Sequence, residues 1–220
     1  MTGTILSVFD FTGNWSRPYA EAGWDVIRID TKLQNDGFEE FSINVADLTT
    51  DWFYENIFDS FETIDGILLA PPCTDFAVSG AKHWAAKDKT ESTLFGDVNR
   101  LDEYVNLVYQ CLNIVDLCEP YFWALENPVG RIASLVPELG KPWYFQPYWY
   151  GDTYSKKTGL WGNFNKPMPT NIVEPEKGKH GSRTQKYGGK SERTKELRSI
   201  TPTGFAKAFF EANNSLPEYY

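Results

Sequence analysis

The stretch from Asp65 to Ser79, DGILLAPPCTDFAVS, constrains the fold more than any other part of this chain. Its apolar run, Ile67 to Ala70, is too short for an independent helix and predicts a buried strand. Pro71 and Pro72 then fix two φ angles and remove two N–H donors, so sheet pairing must stop there. Cys73 is therefore expected at the carboxyl end of a strand, where open α/β sheets bind ligands. The alternative interpretation is a structural cysteine in the core.

Composition narrows the class of protein. The 220 residues suffice for one large domain with a sizeable core. Three cysteines without CxxC spacing, and the lack of a signal peptide or long apolar segment, predict a reduced, cytoplasmic protein that does not enter the membrane. With only two histidines, a metal site or a histidine-centred triad is not expected.

Acidic residues follow the other predicted strands of the first half. The strand Ile5 to Phe9 leads into the turn Asp10-Phe11-Thr12-Gly13 and a helix, a nucleotide-type start. The strand Trp24 to Ile29 ends at Asp30, with the spacing of a ribose-binding acid. Asn44 to Leu48 is a predicted third strand, in which Asp47 could accept from an adenine amino group. These acids could equally terminate strands or cap helices.

The second half of the chain has a further predicted strand that ends at an acidic residue. Tyr121 to Leu125 is a predicted strand that ends at Glu126-Asn127-Pro128, and the plain alternative for Glu126 is a salt-bridged acid at a strand end. Apolar residues at steps of three and four predict a long helix over Leu94 to Leu117. Further predictions are helices over 16–22, 49–58, 132–139 and 205–212, strands over 143–150 and 158–161, and a lid over 80–96.

The net charge of −9 is spread unevenly. Eight Lys or Arg and only two Glu lie between Lys177 and Arg198, so the rest of the chain is strongly acidic. This basic segment is the predicted contact for a phosphate backbone, and its alternative is a solvated loop.

Several motifs, in order, resemble the cytosine-C5 DNA methyltransferases that use S-adenosylmethionine. DFTG resembles their first motif, PPCTDFAVSG the nucleophile motif, and ALENPVGR the glutamate motif. LFGDVNRLDEYVNLV resembles the helix between them, and LRSITPTGFA, with Arg198, Thr201 and Pro202, the late R-x-x-T-P motif. The resemblance runs from about residue 5 to residue 212. It implies a Rossmann-like methyltransferase fold, α/β, with a mostly parallel sheet and helices on both faces.

The resemblance also implies residue roles. Cys73 would attack C6 of a flipped cytosine, Glu126 would bind N3 and the exocyclic amine, and Pro72 and Asn127 would complete the catalytic group. The residues implied to hold S-adenosylmethionine are Asp10, Phe11, Gly13, Asp30, Asp47, Leu48 and Pro71. Those implied to contact the DNA are Lys156, Lys157, Thr158, Lys186, Lys190 and Arg198.

The chain departs from the family pattern in three places. Ser155-Lys156-Lys157-Thr158-Gly159 stands where the family has Q-x-R-x-R, and lysine has no bidentate guanidinium fork. Only about thirty residues, between Lys166 and Arg198, replace a full target-recognition domain. The terminal G-N-S/A-V motif is missing. We therefore expect a short form, suited to a phage, with target recognition supplied by the basic segment or by a protein partner.

The expected organisation is a catalytic domain over 1–165, a basic substrate-binding segment over 166–198, and a C-terminal helix over 199–220 that packs back on the domain. Two other functions stay open. The enzyme could act on a cytosine nucleotide or on RNA, or the chain could be an inactive S-adenosylmethionine-binding partner subunit. The presence of both Cys73 and Glu126 counts against the inactive subunit.

Overall fold

The structure is a computed structural model that describes residues 2–31, 33, 39–42, 48–61, 63–91, 99–176 and 192–216. Within these residues the chain forms one seven-stranded sheet with helices on both sides. The strands, in chain order, are β1 Thr4–Val8, β2 Asp25–Asp30, β3 Glu39–Ser42, β4 Gly66–Leu69, β5 Phe122–Pro128, β6 Trp143–Phe145 and β7 Thr158–Asn163.

The strand order is β3-β2-β1-β4-β5-β7-β6. The first five strands of this order run parallel, and β7 is antiparallel to both β5 and β6. The chain passes from β1 outward to β3, then crosses back to β4 and continues the other way. The order therefore switches between β1 and β4, whose last residues Val8 and Leu69 are partners. In open α/β sheets this crevice is where ligands bind.

The helices are α1 Arg17–Glu21, α2 Thr50–Asn56, α3 Trp84–Lys87, α4 Arg100–Cys118, α5 Ile132–Leu135, α6 Glu192–Ser199 and α7 Thr203–Asn213, with short 3-10 turns at Phe58–Ser60, Val78–His83, Pro137–Leu139 and Pro147–Trp149. The start of α4 has a clear local cause. The Asn99 side chain accepts a hydrogen bond of 2.8 Å from the Leu101 amide, and Asp102 and Glu103 follow in the first turn.

Two apolar cores form because neighbouring strand residues point to opposite faces of the sheet. On one face Leu6, Ile67 and Leu125 pack with residues of α2 and α4. On the other face Ile5 and Leu68 pack with residues of α1 and α7. Both sheet faces are thus covered, which explains why the parallel strands are continuous apolar runs.

The C-terminal helix α7 is held by aromatic contacts. Phe205 stacks on Phe145 of β6 with ring centroids 3.7 Å apart, and Phe209 meets Trp15 edge-on at 5.7 Å. All four rings are fully buried. The helix therefore closes the face of the sheet that α1 leaves open.

The structure confirms the predicted positions of β1, β2, β4, α1, α2 and α7, and most of α4. Residues 92–98, where the helix was predicted to begin, lie outside the described residues. The mixed sheet agrees with the α/β prediction, although it is not parallel throughout. The last helix begins at Thr203, two residues before its predicted start, and Pro202 is its N-cap residue.

Two other predictions need correction, those for β6 and β5. Strand β6 ends at Phe145 because Pro147 opens a 3-10 turn. The structure also has a strand at Glu39–Ser42 that was not predicted, whereas residues 44–47 of the predicted third strand lie outside the described residues. The helix Glu192–Ser199 at the end of the basic segment was not predicted either.

The second correction concerns β5, which continues to Pro128 instead of ending at Leu125. Glu126 and Asn127 thus lie within the strand, opposite Leu160 and Gly159 of β7. The parallel neighbour β4 cannot follow, because Pro71 and Pro72 end its pairing. The antiparallel strand β7 alone extends this part of the sheet, and Glu126 is held on regular backbone.

Candidate active site

The nucleophile predicted from the sequence lies just beyond the carboxyl end of β4. The Ala70 amide makes the last sheet bond, 3.0 Å to the Val8 carbonyl oxygen, and the prolines follow. The Cys73 carbonyl oxygen then accepts hydrogen bonds from the amides of Phe76 and Ala77, at 3.0 and 2.9 Å. Cys73 therefore begins a tight turn, and its side chain is partly buried.

Glu126 is the second residue of this site. It is 8% exposed, and its Oε1 lies 3.5 Å from Nζ of Lys156 without the geometry of a hydrogen bond. Oε1 has no hydrogen-bond partner among the described residues. Buried carboxylate oxygens are nearly always satisfied, so this atom fits an additional donor, as the edge of a nucleobase would supply.

Four charged or ionisable side chains act on one another here, and we call them the site cluster: Cys73, Glu126, Lys156 and Arg198. Burial raises the pKa of the Cys73 thiol, and the charge of Glu126 raises that pKa further. The positive charges of Lys156 and Arg198 lower it in part. The two cations thus favour the thiolate that burial disfavours.

Arg198 reaches this cluster from α6, at the far end of the chain. Its Nη2 donates to Oγ of Ser79 across 3.3 Å, which joins residues 119 positions apart in the sequence. Ser79 lies on the turn that follows Cys73. The helix at the end of the basic segment is therefore connected directly to the nucleophile's loop.

The loops after β4 and β5 are also joined to each other. Nδ2 of Asn127 donates 3.0 Å to the Pro71 carbonyl oxygen, and the Val78 amide donates 2.8 Å to the Val129 carbonyl oxygen. Asn127 is fully buried, and its Oδ1 has no hydrogen-bond partner among the described residues. At Gly130 a Cβ would collide with the Phe76 carbonyl oxygen, so only glycine allows this approach.

The turn after β1 has unusual backbone geometry. Phe9 has a φ of 64° and Gly13 a φ of 66°, both in the left-handed region. Such a conformation is rare for a bulky residue and marks functional sites more often than ordinary turns. Nothing in the residue pattern distinguishes Phe9 from the strand before it, so sequence reasoning missed it.

The predicted cofactor residues lie at this same edge of the sheet. The Asp10 carboxylate is engaged internally, since it accepts from Oγ of Ser16 at 2.8 Å and from Oγ of Ser7 at 3.0 Å. It therefore fixes the turn and the start of α1, and within the turn Phe11 is partly exposed whereas Gly13 is buried. Asp30 ends the neighbouring strand, and Oγ1 of Thr31 donates to it at 3.3 Å.

The remaining cofactor residues are less informative. Leu48 is buried in the core. Pro71 is also buried, and its carbonyl oxygen accepts the hydrogen bond from Asn127. Asp47 lies outside the described residues. Pro72 is partly buried beside Cys73. The two features that fit a nucleoside cofactor are the turn after β1 and the acid at the end of β2.

The predicted DNA contacts divide into two groups. Lys156 and Arg198 belong to the site cluster. Lys157 instead lies 4.4 Å over the ring of Tyr144, and Thr158 is fully buried and donates to the Lys156 carbonyl oxygen at 2.8 Å. Lys186 and Lys190 lie outside the described residues.

Neither a metal-binding group nor a membrane-spanning helix is found among the described residues. No group of three or more His, Cys, Asp or Glu side chains could hold a metal ion among these residues. None of the described helices is both long enough and apolar enough to cross a membrane.

Comparisons with known proteins give limited information. No family model matches the chain, and no curated protein matches it. Among solved structures, one similar chain has been assigned as a DNA modification methyltransferase encoded within a prophage of E. coli. The TM-score is 0.49 at 18% identity, over 79% of this chain and 52% of that one.

A second similar chain is WbdD, crystallised with the kinase inhibitor LY294002. Its TM-score is 0.34 at 10% identity, over 74% of this chain and 36% of that one. The present chain thus spans about half or less of the length of these two structures. At such scores the likenesses carry no argument about function, which has to come from the site itself.

Proposed function

We propose that this protein transfers a methyl group from S-adenosylmethionine to C5 of cytosine in DNA, through a covalent bond between Cys73 and C6. The observation that supports it most is the pairing of Cys73 with Glu126 in one charged cluster at the carboxyl edge of β4 and β5. A thiol and a carboxyl group, without a histidine, suit addition to a pyrimidine better than hydrolysis.

The reaction begins with the nucleophile. C5 of cytosine is a weak nucleophile, and attack of the Cys73 thiolate on C6 breaks the aromaticity and makes C5 enamine-like. S-adenosylmethionine, when bound, supplies the electrophilic methyl group on its sulfonium. After transfer, a base removes the C5 proton and the C6–S bond breaks, which restores the ring and releases Cys73 as thiolate.

Glu126 stabilises the charge that develops on the ring. Its buried Oε1 has no hydrogen-bond partner among the described residues and would accept from the exocyclic amine, while a proton shared between the carboxyl group and N3 would join Glu126 to the ring. Lys156 lies beside it and provides positive charge where the family has arginine. A base inside a duplex cannot reach these side chains, so the cytosine must first leave the stack.

The cofactor would lie in the crevice between β1 and β4. The turn after β1, with Asp10, Phe11 and Gly13, would surround the methionine part, and Asp30 would hold the ribose. Asp47 would accept from the adenine amino group. These residues would hold the cofactor at the sheet edge that also carries Cys73.

A cytosine nucleotide or RNA is the second candidate substrate. The net charge of −9 and the short basic segment favour a smaller ligand than duplex DNA. An inactive binding subunit is the third candidate, and a protein partner that recognises the target would suit either case.

The test is transfer of labelled methyl from S-adenosylmethionine to duplex DNA, single-stranded DNA, tRNA and dCMP in parallel. Cys73→Ala and Glu126→Gln are the test variants, and Cys118→Ala, at the far end of α4, is the matched control. Label in DNA that both test variants lose and the control keeps supports the proposal. Label in dCMP or tRNA alone contradicts the DNA substrate, and cofactor binding without any transfer favours the inactive subunit.

A further inference from the structure

A second group of charges lies next to the site cluster and has no role in the proposed chemistry. Its centre is Asp75, two residues after Cys73, with a side chain that is only 1% exposed. Lys87 Nζ lies 2.9 Å from one carboxylate oxygen and Arg100 Nε lies 3.1 Å from the other. Each oxygen of this buried carboxylate thus lies beside a cation from a separate element: Oδ2 accepts a hydrogen bond from Arg100, and Oδ1 is in an ion pair with Lys87 that lacks hydrogen-bond geometry.

The main chain of the same turn is bound as well. Nε of Arg131 donates to the Asp75 carbonyl oxygen at 2.9 Å, and Nζ of Lys87 donates to the Thr74 carbonyl oxygen at 2.7 Å. The two residues after Cys73 therefore receive three cationic side chains. These come from the end of α3, the start of α4 and the loop after β5.

Arg131 is itself fixed by two further contacts. Its guanidinium forms a bidentate pair with Asp88, at 2.7 and 2.6 Å, and lies 4.5 Å over the ring of Trp84. Such fork geometry and ring contact restrict an arginine far more than a single bond does. Arg131 follows Glu126 on the same strand and loop, so the group spans both catalytic segments.

We propose that Asp75 is a positioning residue, which holds the turn of Cys73 against the segment of Glu126 so that the thiolate meets C6 in line. The inference rests on the proposed function where it is tested by methyl transfer, but not where it is tested by alkylation of Cys73. An amide at this position would keep the shape but would leave Lys87 and Arg100 without a counter-charge beside the nucleophile. A misplacement of the thiol by about 1 Å costs about a hundredfold in rate.

The first readout is methyl transfer by Asp75→Asn and Asp75→Glu. The control is Asp59→Asn, which changes an exposed aspartate outside both clusters. We expect Asp75→Asn to lower kcat by about tenfold or more, with the KM for DNA and the Kd for S-adenosylmethionine within about twofold of native. Asp75→Glu, which keeps the charge, is expected to recover part of kcat.

The second readout needs no methyltransferase activity. It is the rate of alkylation of Cys73 by iodoacetamide, resolved by peptide mass spectrometry. We expect Asp75→Asn to raise this rate by about fivefold or more, because the turn no longer shields the thiol. The rates are compared at the high-pH limit, where the thiol is ionised, because cations left without a counter-charge beside Cys73 would move the pH midpoint downward.

The outcomes separate the two proposals. If native protein transfers no methyl group to any substrate, the proposed function fails, and alkylation alone decides the role of Asp75. An alkylation rate equal to native contradicts the positioning role, and so does a kcat within about twofold of native. If kcat, cofactor affinity and thermal midpoint all fall together, Asp75 serves the fold and the inference is wrong. Should Asp75→Asn not fold, Lys87→Gln removes one partner and carries the same expectations.

Discussion

The side-chain amide of Asn127 donates a hydrogen bond of 3.0 Å to the carbonyl oxygen of Pro71. The residue after Glu126 thus holds the backbone two positions before Cys73. Both groups are buried, and Pro71 can offer only its carbonyl to a partner. The catalytic segments of β4 and β5 are therefore connected inside the sheet edge as well as by the loops above it.

The first prediction follows from this bond. Asn127→Ala leaves the Pro71 carbonyl buried without a partner, so the free energy of unfolding should fall by about 1–3 kcal/mol. Urea unfolding measures this, and methyl transfer by the same variant should fall as Cys73 loses its support. The control is Asn56→Ala, because the Asn56 amide also donates to a carbonyl, that of Trp52, but at an exposed position. Equal losses in the two variants would contradict the prediction.

The second prediction concerns Gly130, where the loops after β4 and β5 approach most closely. In Gly130→Ala the new Cβ meets the Phe76 carbonyl oxygen, and the loops must separate. We expect a loss of about 1–3 kcal/mol in the free energy of unfolding, with reduced methyl transfer.

The matched control for this loop is Gly80→Ala. At Gly80 the nearest atom to an added Cβ is the Thr74 carbonyl oxygen, at an ordinary 3.5 Å. Its stability should therefore stay within about 0.5 kcal/mol of native, as for most surface substitutions. A stable, fully active Gly130→Ala protein would show that the two loops need not touch.

Much of the fold follows from local signals in the sequence. The apolar runs of β1 and β4 and the three-four spacing of α4 each identify an element without any tertiary information. The failures have physical causes. Strand β5 runs on through Glu126 because β7 pairs with it from the other side, and a single strand's pattern does not reveal its partner.

The sequence likewise predicts some residues of the site and not others. The sequence predicts Cys73 and Glu126 because each follows an apolar run and stands in a quoted motif. In the structure Glu126, Lys156 and Arg198 all act on the Cys73 thiol. The partners of Asp75 could not be found, because Arg100 and Arg131 lie 25 and 56 residues away and pair only in the folded state. The sequence shows only that an aspartate, Asp75, follows Cys73 in PPCTDF.

The third prediction concerns acid stability through Asp88. Hydrogen bonds from Arg131 hold the pKa of this carboxyl below its usual value of 3.8. Because the folded-state pKa is the lower one, the pair stabilises the protein above the unfolded-state pKa. That contribution disappears as the pH falls through the folded-state pKa.

The measurement is urea unfolding of native protein and Asp88→Asn between about pH 3 and pH 7. The variant should be less stable at neutral pH by about 0.5–1 kcal/mol, a value reduced for the partial exposure of the pair. The two proteins should converge at the acid end. A difference that persists unchanged to low pH would contradict the ion pair as its cause.

The last prediction concerns Lys156, whose charge lowers the pKa of Cys73 against the effect of burial. Lys156→Ala removes that charge, so the pKa of Cys73 should rise and its alkylation profile should move to higher pH. Glu126→Gln removes a negative charge and should move the profile the other way. Lys157→Ala is the control, because this neighbouring lysine lies over Tyr144 and should leave the profile unchanged. Peptide-resolved detection keeps Cys111 and Cys118 apart, and burial raises the pKa of each to about 12, so both should react slowly near neutral pH. If Lys156→Ala and Lys157→Ala have the same profile as native protein, Lys156 does not act on the thiol, and the cation in the proposed mechanism must come from Arg198.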